Sequence, residues 1–477
     1  MTGERARGYG GWRVSRSIGL GAMDTRQSVM VATAAVIPLL AFAATGPWPA
    51  LITAAPAALV ALAAVTRRGG VLVMDLAIAR IRWQRAHWRG ETSYRGQVFA
   101  PLPRAWDLPG VLAPCTLVAV HEPGHPAPVG VVWNQHSGHM SATVLLSPAG
   151  ALLADMATID NQVSSWGDLL SSLADDDSIH HAAVTIELVP HAGVQLADHL
   201  ATRIAPGAPH LARQVLGELV AAAPRSACQL RARLTLTLDT AAARHRTAAR
   251  AAADVVRTLG GLPISAAGAD VLRRATPADL VRAVRTAFDP AAEDAPPGAW
   301  NTGWADAGPI TAEDHLDHYH HDGAYSQSWA LLAAPRQRVA HDVLFPLCKP
   351  GRFTRRVTLM YQTLGRDEAG AVLEREANVA AARDYARRKS QRDPTARENA
   401  DRDRALRAAQ QEARGAGLVQ FALYVTTTTA RQRDLDEARQ EVQRAAGDCR
   451  LKLRLARGGQ AACFAAGLPI PFFPPDT

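Results

Sequence analysis

Between Gln27 and Thr66 the chain carries no charged residue, and arginines crowd both flanks of that stretch. It divides into two apolar runs, 28–44 and 48–65, around the turn-forming sequence Thr45-Gly46-Pro47-Trp48-Pro49. A hydrocarbon core of about 30 Å takes roughly 17 to 25 helical residues, so each run can cross a bilayer once with little tilt. Arg5, Arg7, Arg13, Arg16 and Arg26 precede the first run, Arg67, Arg68, Arg80, Arg82, Arg85 and Arg89 follow the second, and the turn has none. Short basic flanks are retained on the cytoplasmic side, which predicts a two-pass inner (plasma) membrane protein with both termini and the bulk of the chain inside. Arg26, Arg67 and Arg68 set that topology and Trp48 anchors the outer turn. A cleaved signal peptide is the rival for the first run, but the second run follows at once and no clean small-residue cleavage site separates them. Pro38 and Pro56 argue against a hairpin buried in a soluble core, because membrane helices tolerate proline better.

About 400 residues follow the hairpin, enough for two or three domains. The five cysteines, Cys115, Cys228, Cys348, Cys449 and Cys463, are scattered, odd in number and never spaced as CxxC. They read as small apolar residues in a reducing compartment rather than a disulfide frame or thiolate zinc site. The formal charge of +8 lies largely in the hairpin flanks, where topology and anionic lipid account for it. No basic stripe is interleaved with aromatics, so direct nucleic-acid binding is not expected.

The expected fold class is membrane-anchored α+β. Residues 1–27 form a basic cytoplasmic N-terminus, 28–66 the transmembrane hairpin, and 67–100 an interfacial linker with an amphipathic helix over 71–88. An α+β domain occupies 101–290, with strands at 115–120, 129–133, 141–146, 183–189 and 229–238 and helices at 154–173, 208–222 and 241–259. Thr276-Pro277-Ala278-Asp279 starts a further helix, with threonine as cap and proline in the first turn. A linker rich in Pro, Gly, Ala and acids opens 291–366, a second α+β portion with strands at 328–333 and 355–362. Residues 367–416 are dominated by Ala, Arg, Glu, Gln and Asp and predict a charged helical arm, read as two antiparallel helices or one kinked helix. A β-α-β unit closes the chain over 417–477.

The densest polar cluster is Glu313-Asp314-His315-Leu316-Asp317-His318-Tyr319-His320-His321-Asp322. On a helix, His315 with His318 and His318 with Asp322 meet the spacing of ligand pairs, but no remote third ligand is evident, and the acids equally suit a helix cap. No metal site is assigned and no cofactor expected; His315, His318 and Asp322 are the candidates of the alternative reading. There is no GxSxG elbow, and Ser326 near His321 does not make a triad. Asp175-Asp176-Asp177 reads as a charged loop. GxxxxGK[ST] is absent, and Gly415-Ala416-Gly417 precedes a strand instead of linking a strand to a helix, so the chain is not expected to hydrolyse a nucleotide itself.

Strand 418–427 (LVQFALYVTT) leads through Arg431 to a charged helix ending near Ala446, a strand at 449–456, and then Gly459-Gln460-Ala461-Ala462-Cys463-Phe464-Ala465-Ala466-Gly467-Leu468-Pro469. This resembles the end of the N-terminal, non-catalytic region of type IV secretion and conjugation ATPases, which closes on a QxxAFxxxLP-like segment before the motor. Cys463 departs from the usual alanine, and the motor domain is absent from a chain ending at Thr477. Upstream, Tyr9-Gly10-Gly11-Trp12, the hairpin, Leu108-Pro109-Gly110-Val111-Leu112, Trp166-Gly167, the helix at 275–290, Trp304-Ala305-Asp306-Ala307-Gly308-Pro309 and Asp317-His318-Tyr319 resemble an actinobacterial membrane-protein family associated with conjugation-like type IV secretion. In that family a small hairpin subunit is fused to the ATPase-like N-terminal region.

The resemblance implies a non-enzymatic scaffold that docks a separate secretion ATPase, and other secretion subunits, to the membrane, with inner-membrane lipid as a further partner. The spans carry no ionisable residue of the kind a transporter needs. Arg375, Arg383, Arg387 and Arg388 on the arm are the partner-docking candidates, and self-association within the complex is compatible with this reading. Two alternatives are a type VII secretion component resembling the E subunit and a metal-dependent enzyme using the 315–321 cluster.

Overall fold

A computed structural model describes residues 25–96, 108–148 (without 123 and 125), 150, 154–190, 204–222 (without 206), 228–240, 247–294, 303–365 (without 336) and 418–474, with 369–375 and a few isolated positions between 366 and 417. It divides into two compact units, Gly10–Arg89 with Leu364–Leu418, and Gly90–Thr363 with Val419–Thr477.

In the first unit, helices α1 (Thr25–Thr45) and α2 (Pro47–Val65) fold back on each other around Gly46. Gly46 sits at φ +94°, a conformation that glycine adopts without penalty. The two helices touch along small side chains. On α2 the shielded positions are Pro49, Ala50, Thr53, Ala54, Ala57, Ala61, Ala63 and Ala64, and on α1 Gln27, Ser28, Met30, Val31, Ala34, Pro38 and Ala41, small side chains for the most part. Such stripes let apolar helices approach where no water drives them together. The Gln27 side-chain amide donates to the Ala64 carbonyl at 2.8 Å, tying the two helices together at the base of the pair. Leu39, Leu40, Leu51, Ile52, Leu59 and Leu62 point outward, all more than 60% exposed. Strands β1 (Arg67–Arg68) and β2 (Val71–Leu72) form a short hairpin whose turn, Gly69-Gly70, has positive φ at both positions. Helix α3 (Val73–Trp88) follows, with no fully buried residue.

The second unit is built on one thirteen-stranded sheet. Its strands are β3 (Ser93–Arg95), β4 (Cys115–Val120), β5 (Val129–Asn134), β6 (His139–Pro148), β7 (Ile179–Pro190), β8 (Cys228–Asp239), β9 (Ala269–Arg274), β10 (Thr311–Asp314), β11 (Tyr319–His321), β12 (Ala324–Ala333), β13 (Thr354–Leu364), β14 (Leu418–Thr429) and β15 (Lys452–Leu455). The helices are α4 (Met156–Leu173), α5 (His210–Ala222), α6 (Ala248–Gly260), α7 (Pro277–Phe288), α8 (Leu435–Asp448) and α9 (Gln460–Ala465). The fold is mixed α+β.

The strand order is β3-β10-β11-β12-β14-β13-β7-β8-β6-β5-β4, with β9 added to β6 and β15 added to β12. The two halves of the sheet therefore have the same plan. A meander, β4-β5-β6 or β10-β11-β12, is followed by a central strand, β7 or β13, and by a strand that inserts beside the meander, β8 or β14. A helix and a short strand, α6-β9 or α8-β15, then return to the last meander strand, and a final helix, α7 or α9, crosses the sheet. The halves meet where β7 and β13 pair antiparallel with Thr185 opposite Thr358.

Side chains repeat with the plan. Thr143 on β6 bonds Thr235 on β8 at 3.0 Å, and Ser328 on β12 bonds Thr426 on β14 at 2.9 Å. The Ala275 amide donates to the Thr143 carbonyl, and the Ala456 amide to that of Ser328. The segments that supply them, Leu272-Arg273-Arg274-Ala275 and Leu453-Arg454-Leu455-Ala456, match at three of four positions. At the centre Thr185 and Thr358 bond each other at 3.1 Å.

The sheet has an apolar face and a polar one. Leu234, Leu236, Leu238 and Val144 pack under α4 and α6, and Trp329, Val357 and Val425 under α8. The opposite face carries Thr143, Glu187, Arg233, Thr235, Ser326, Ser328, Arg356, Thr358, Thr426 and Thr428, all buried. It is covered by α7, α9 and the segment running on to Phe473.

Helix α7 begins as the sequence indicates. Thr276 accepts from the Asp279 amide while Asp279 accepts from the Thr276 amide, a reciprocal capping box. Thr276→Ala is expected to lower stability by about 1 kcal/mol, measured as a lower urea midpoint with unchanged slope.

Candidate functional site

The histidine-rich segment is a strand hairpin, not a helix, and this corrects the helical spacing of His315, His318 and Asp322. Tyr319 pairs with Asp314 and His320 with Glu313, and the His315 amide donates to the His318 carbonyl at 2.9 Å. Alternation on strands sends neighbours to opposite faces. Ala312, Tyr319 and His321 are buried, whereas Glu313, His315, His318 and His320 share the outer face.

On that outer face, donor atoms of Glu313, His315 and His320 all lie within 4.8 Å of one another. The His315 and His318 rings stack at 4.4 Å, and His320 stacks on Tyr325 of β12 at 4.4 Å with only 7° between planes. His318 Nδ1 lies 2.9 Å from Asp317, which Arg439 approaches at 3.7 Å. Partial burial, with the His318 charge second, holds the His315 imidazole below its ordinary range. Asp322 belongs elsewhere. It takes positive φ at the hairpin's exit, accepts the Ile310 amide at 2.7 Å and pairs with Arg285 at 3.2 Å. Asp314, on the inner face, accepts the Ala461 amide, and burial pushes its carboxyl up to about 7.

His321 and Ser326 do come together, with Nε2 and Oγ at 2.8 Å. Both have no solvent exposure, and Phe288, Tyr319 and Phe464 surround the imidazole. Its Nδ1 faces the Phe288 carbonyl, no carboxylate among the described residues orients it, and burial drives it down to about 3. The pair is a structural bond shared with Thr428.

The groups that sequence reading missed lie on the polar face. Glu187 is buried between two arginines, 3.3 Å from Arg233 and 3.7 Å from Arg356. Arg233 also donates to the Gly467 carbonyl, and the Arg356 guanidinium lies 4.5 Å from the centre of the Phe464 ring. Gln460 holds both backbone groups of Ser328, accepting its amide at 2.8 Å and donating to its carbonyl at 3.3 Å. His181 is buried beside His180, with their Nδ1 atoms 2.8 Å apart, and Phe473 lies over its ring at 5.3 Å. The signal was present in β8, where Arg231, Arg233, Thr235 and Thr237 alternate with leucines and alanine.

Of the remaining sequence candidates, Trp48 is 77% exposed in the first turn of α2, and Arg67 and Arg68 are exposed on the β1–β2 hairpin. Arg26 lies in the first turn of α1. Arg375 is exposed and helical, while Arg383, Arg387 and Arg388 and nearly all of the expected arm lie outside the described residues. Cys115 and Cys463 pack as neutral thiols that burial raises to about 12.

Compared with known proteins, the sequence matches no protein-family model and no curated protein.

Two predictions follow from the buried polar face. Removing one partner of a buried ion pair strands the other charge, so Glu187→Gln, which strands two, is expected to cost on the order of 3–5 kcal/mol. Arg356→Met, which strands none, should cost less when both are measured by urea unfolding. Burial, then the charges of His180 and His139, holds His181 well below the ordinary imidazole range. The unfolded imidazole takes a proton below about pH 6.5 and the folded one does not, so stability is full above that pH and falls as pH drops. Melting temperature should decline from pH 7 to 5, and less steeply in His181→Gln; identical slopes would contradict the assignment.

Proposed function

We propose that this protein is a membrane-anchored scaffold of a type IV-like, conjugative secretion apparatus, docking a separate ATPase at the inner face of the plasma membrane. The α1–α2 pair carries the reading. Two helices of 21 and 19 residues, shielding mostly small side chains and turning leucine and isoleucine outward, have the surface of a lipid-facing hairpin. Neither span carries an ionisable residue between Gln27 and Val65, so an anchor is favoured over a solute path. Arg67, Arg68 and the arginines of α3 then face anionic headgroups.

The scaffold role rests on the residues that resemble the conjugation-associated family, and on the lack of a phosphate-cradling loop beside a large α+β unit. The arm arginines Arg375, Arg383, Arg387 and Arg388 are the proposed docking contacts with the motor.

Three measurements test the two parts separately. The protein should resist alkaline carbonate extraction, and protease should digest its sheet unit in inverted membrane vesicles but not in right-side-out cells; release by carbonate would refute the anchor. Purification in mild detergent should recover a conjugation-type ATPase, with recovery reduced by Arg375→Glu. Recovery of a type VII motor instead would reassign the machine, and recovery of no ATPase would contradict docking.

A further inference from the structure

We propose that Glu313, His315 and His320 bind a divalent transition-metal ion of the zinc class on the outer face of the β10–β11 hairpin. This inference stands independently of the scaffold reading. Two imidazoles and a carboxylate form an N2O donor set, which suits Zn2+ and its neighbours, whereas Ca2+ and Mg2+ favour oxygen ligands.

The backbone brings the set together. Glu313 and His320 are direct cross-strand partners, and His315 lies two residues beyond Glu313, so all three project from one face. Their donor atoms already converge within 4.8 Å. Closing onto a metal at about 2.0–2.2 Å per ligand requires only side-chain rotation. The Glu313 and His315 side chains are 55% and 41% exposed, which leaves solvent space for that rotation.

Neighbours hold parts of the set in place. The ring of His320 is fixed by its stack on Tyr325. Glu313 faces an imidazole rather than a guanidinium, with its carboxylate 3.4 Å from His315 Nε2. His318, stacked on His315 and held through Nδ1 by Asp317, stands beside the set without being one of the three. Three protein ligands leave a coordination position open to water or to a donor from another molecule.

The corresponding turn of the first half of the sheet, between β4 and β5, supplies a control in its exposed His121. The full chain, purified in detergent and stripped with chelator, would be titrated with Zn2+ by calorimetry and with Co2+ by visible absorption. One equivalent should bind, with Co2+ giving the intense ligand-field bands of a low-coordinate site. Glu313→Gln, His315→Asn and His320→Asn should each weaken binding by at least about tenfold, and His121→Asn should leave it unchanged. Because the three side chains face outward, the metal-free variants should melt with the parent, so that lost binding is not lost folding. Absence of stoichiometric binding, or equal binding by the triple variant, would overturn the proposal.

Discussion

A sheet face lined with threonine, serine, arginine and glutamate is costly to bury unless its polar atoms find partners in place of water. Here the partners come mainly from adjacent strands and from the last fifteen described residues. Hydroxyls pair across β6 and β8, β7 and β13, and β12 and β14. Gln460 satisfies the backbone of Ser328, the Gly467 carbonyl takes Arg233, and the Phe464 ring lies against Arg356, whose nitrogens make no hydrogen bond among the described residues. The C-terminal segment is thus a working part of the core. Ile470, Phe472 and Phe473, all nearly inaccessible, add the apolar area that offsets the desolvation.

The repeated plan explains why so wide a sheet needs this seal. Each half brings one helix, α7 or α9, over the polar face, and the halves join through β7 and β13 with Thr185 against Thr358. The two halves differ at their outer edges. In the second half, meander strands β10 and β11 are short, and their outer face carries the histidine grid where the first half has the longer β4–β5 pair. Core and candidate site therefore use opposite faces of the same two strands, with Tyr319 and His321 inside and His318 and His320 outside.

Much of the architecture was legible in the sequence. The hairpin could be read from an uncharged stretch bounded by arginines, and the start of α7 from Thr276-Pro277-Ala278-Asp279. The strands at β4, β5 and β13 could be read from β-branched runs, though β7 and β12 begin four residues earlier than their apolar patterns suggest, at Ile179 and Ala324. The histidine hairpin was not legible because period-two alternation over three or four residues is too short to outweigh helical spacing, and its outer partner, β3, lies more than 200 residues earlier in the chain. The polar core was missed for a related reason. Arg233, Glu187 and Arg356 look solvent-facing until strands far apart in the chain place them together under Phe464 and Gly467.

Residues 460–474 and the polar sheet face fold as one cooperative unit, a property that native-state hydrogen exchange reads amide by amide. Amides of α9, Leu468, Ile470 and Phe472 should exchange with the same opening free energy as those of β7, β8, β13 and β14, all through global unfolding. If the C-terminal amides exchange through a separate opening while those four strands stay fully protected, the segment is an appendage and the account is wrong.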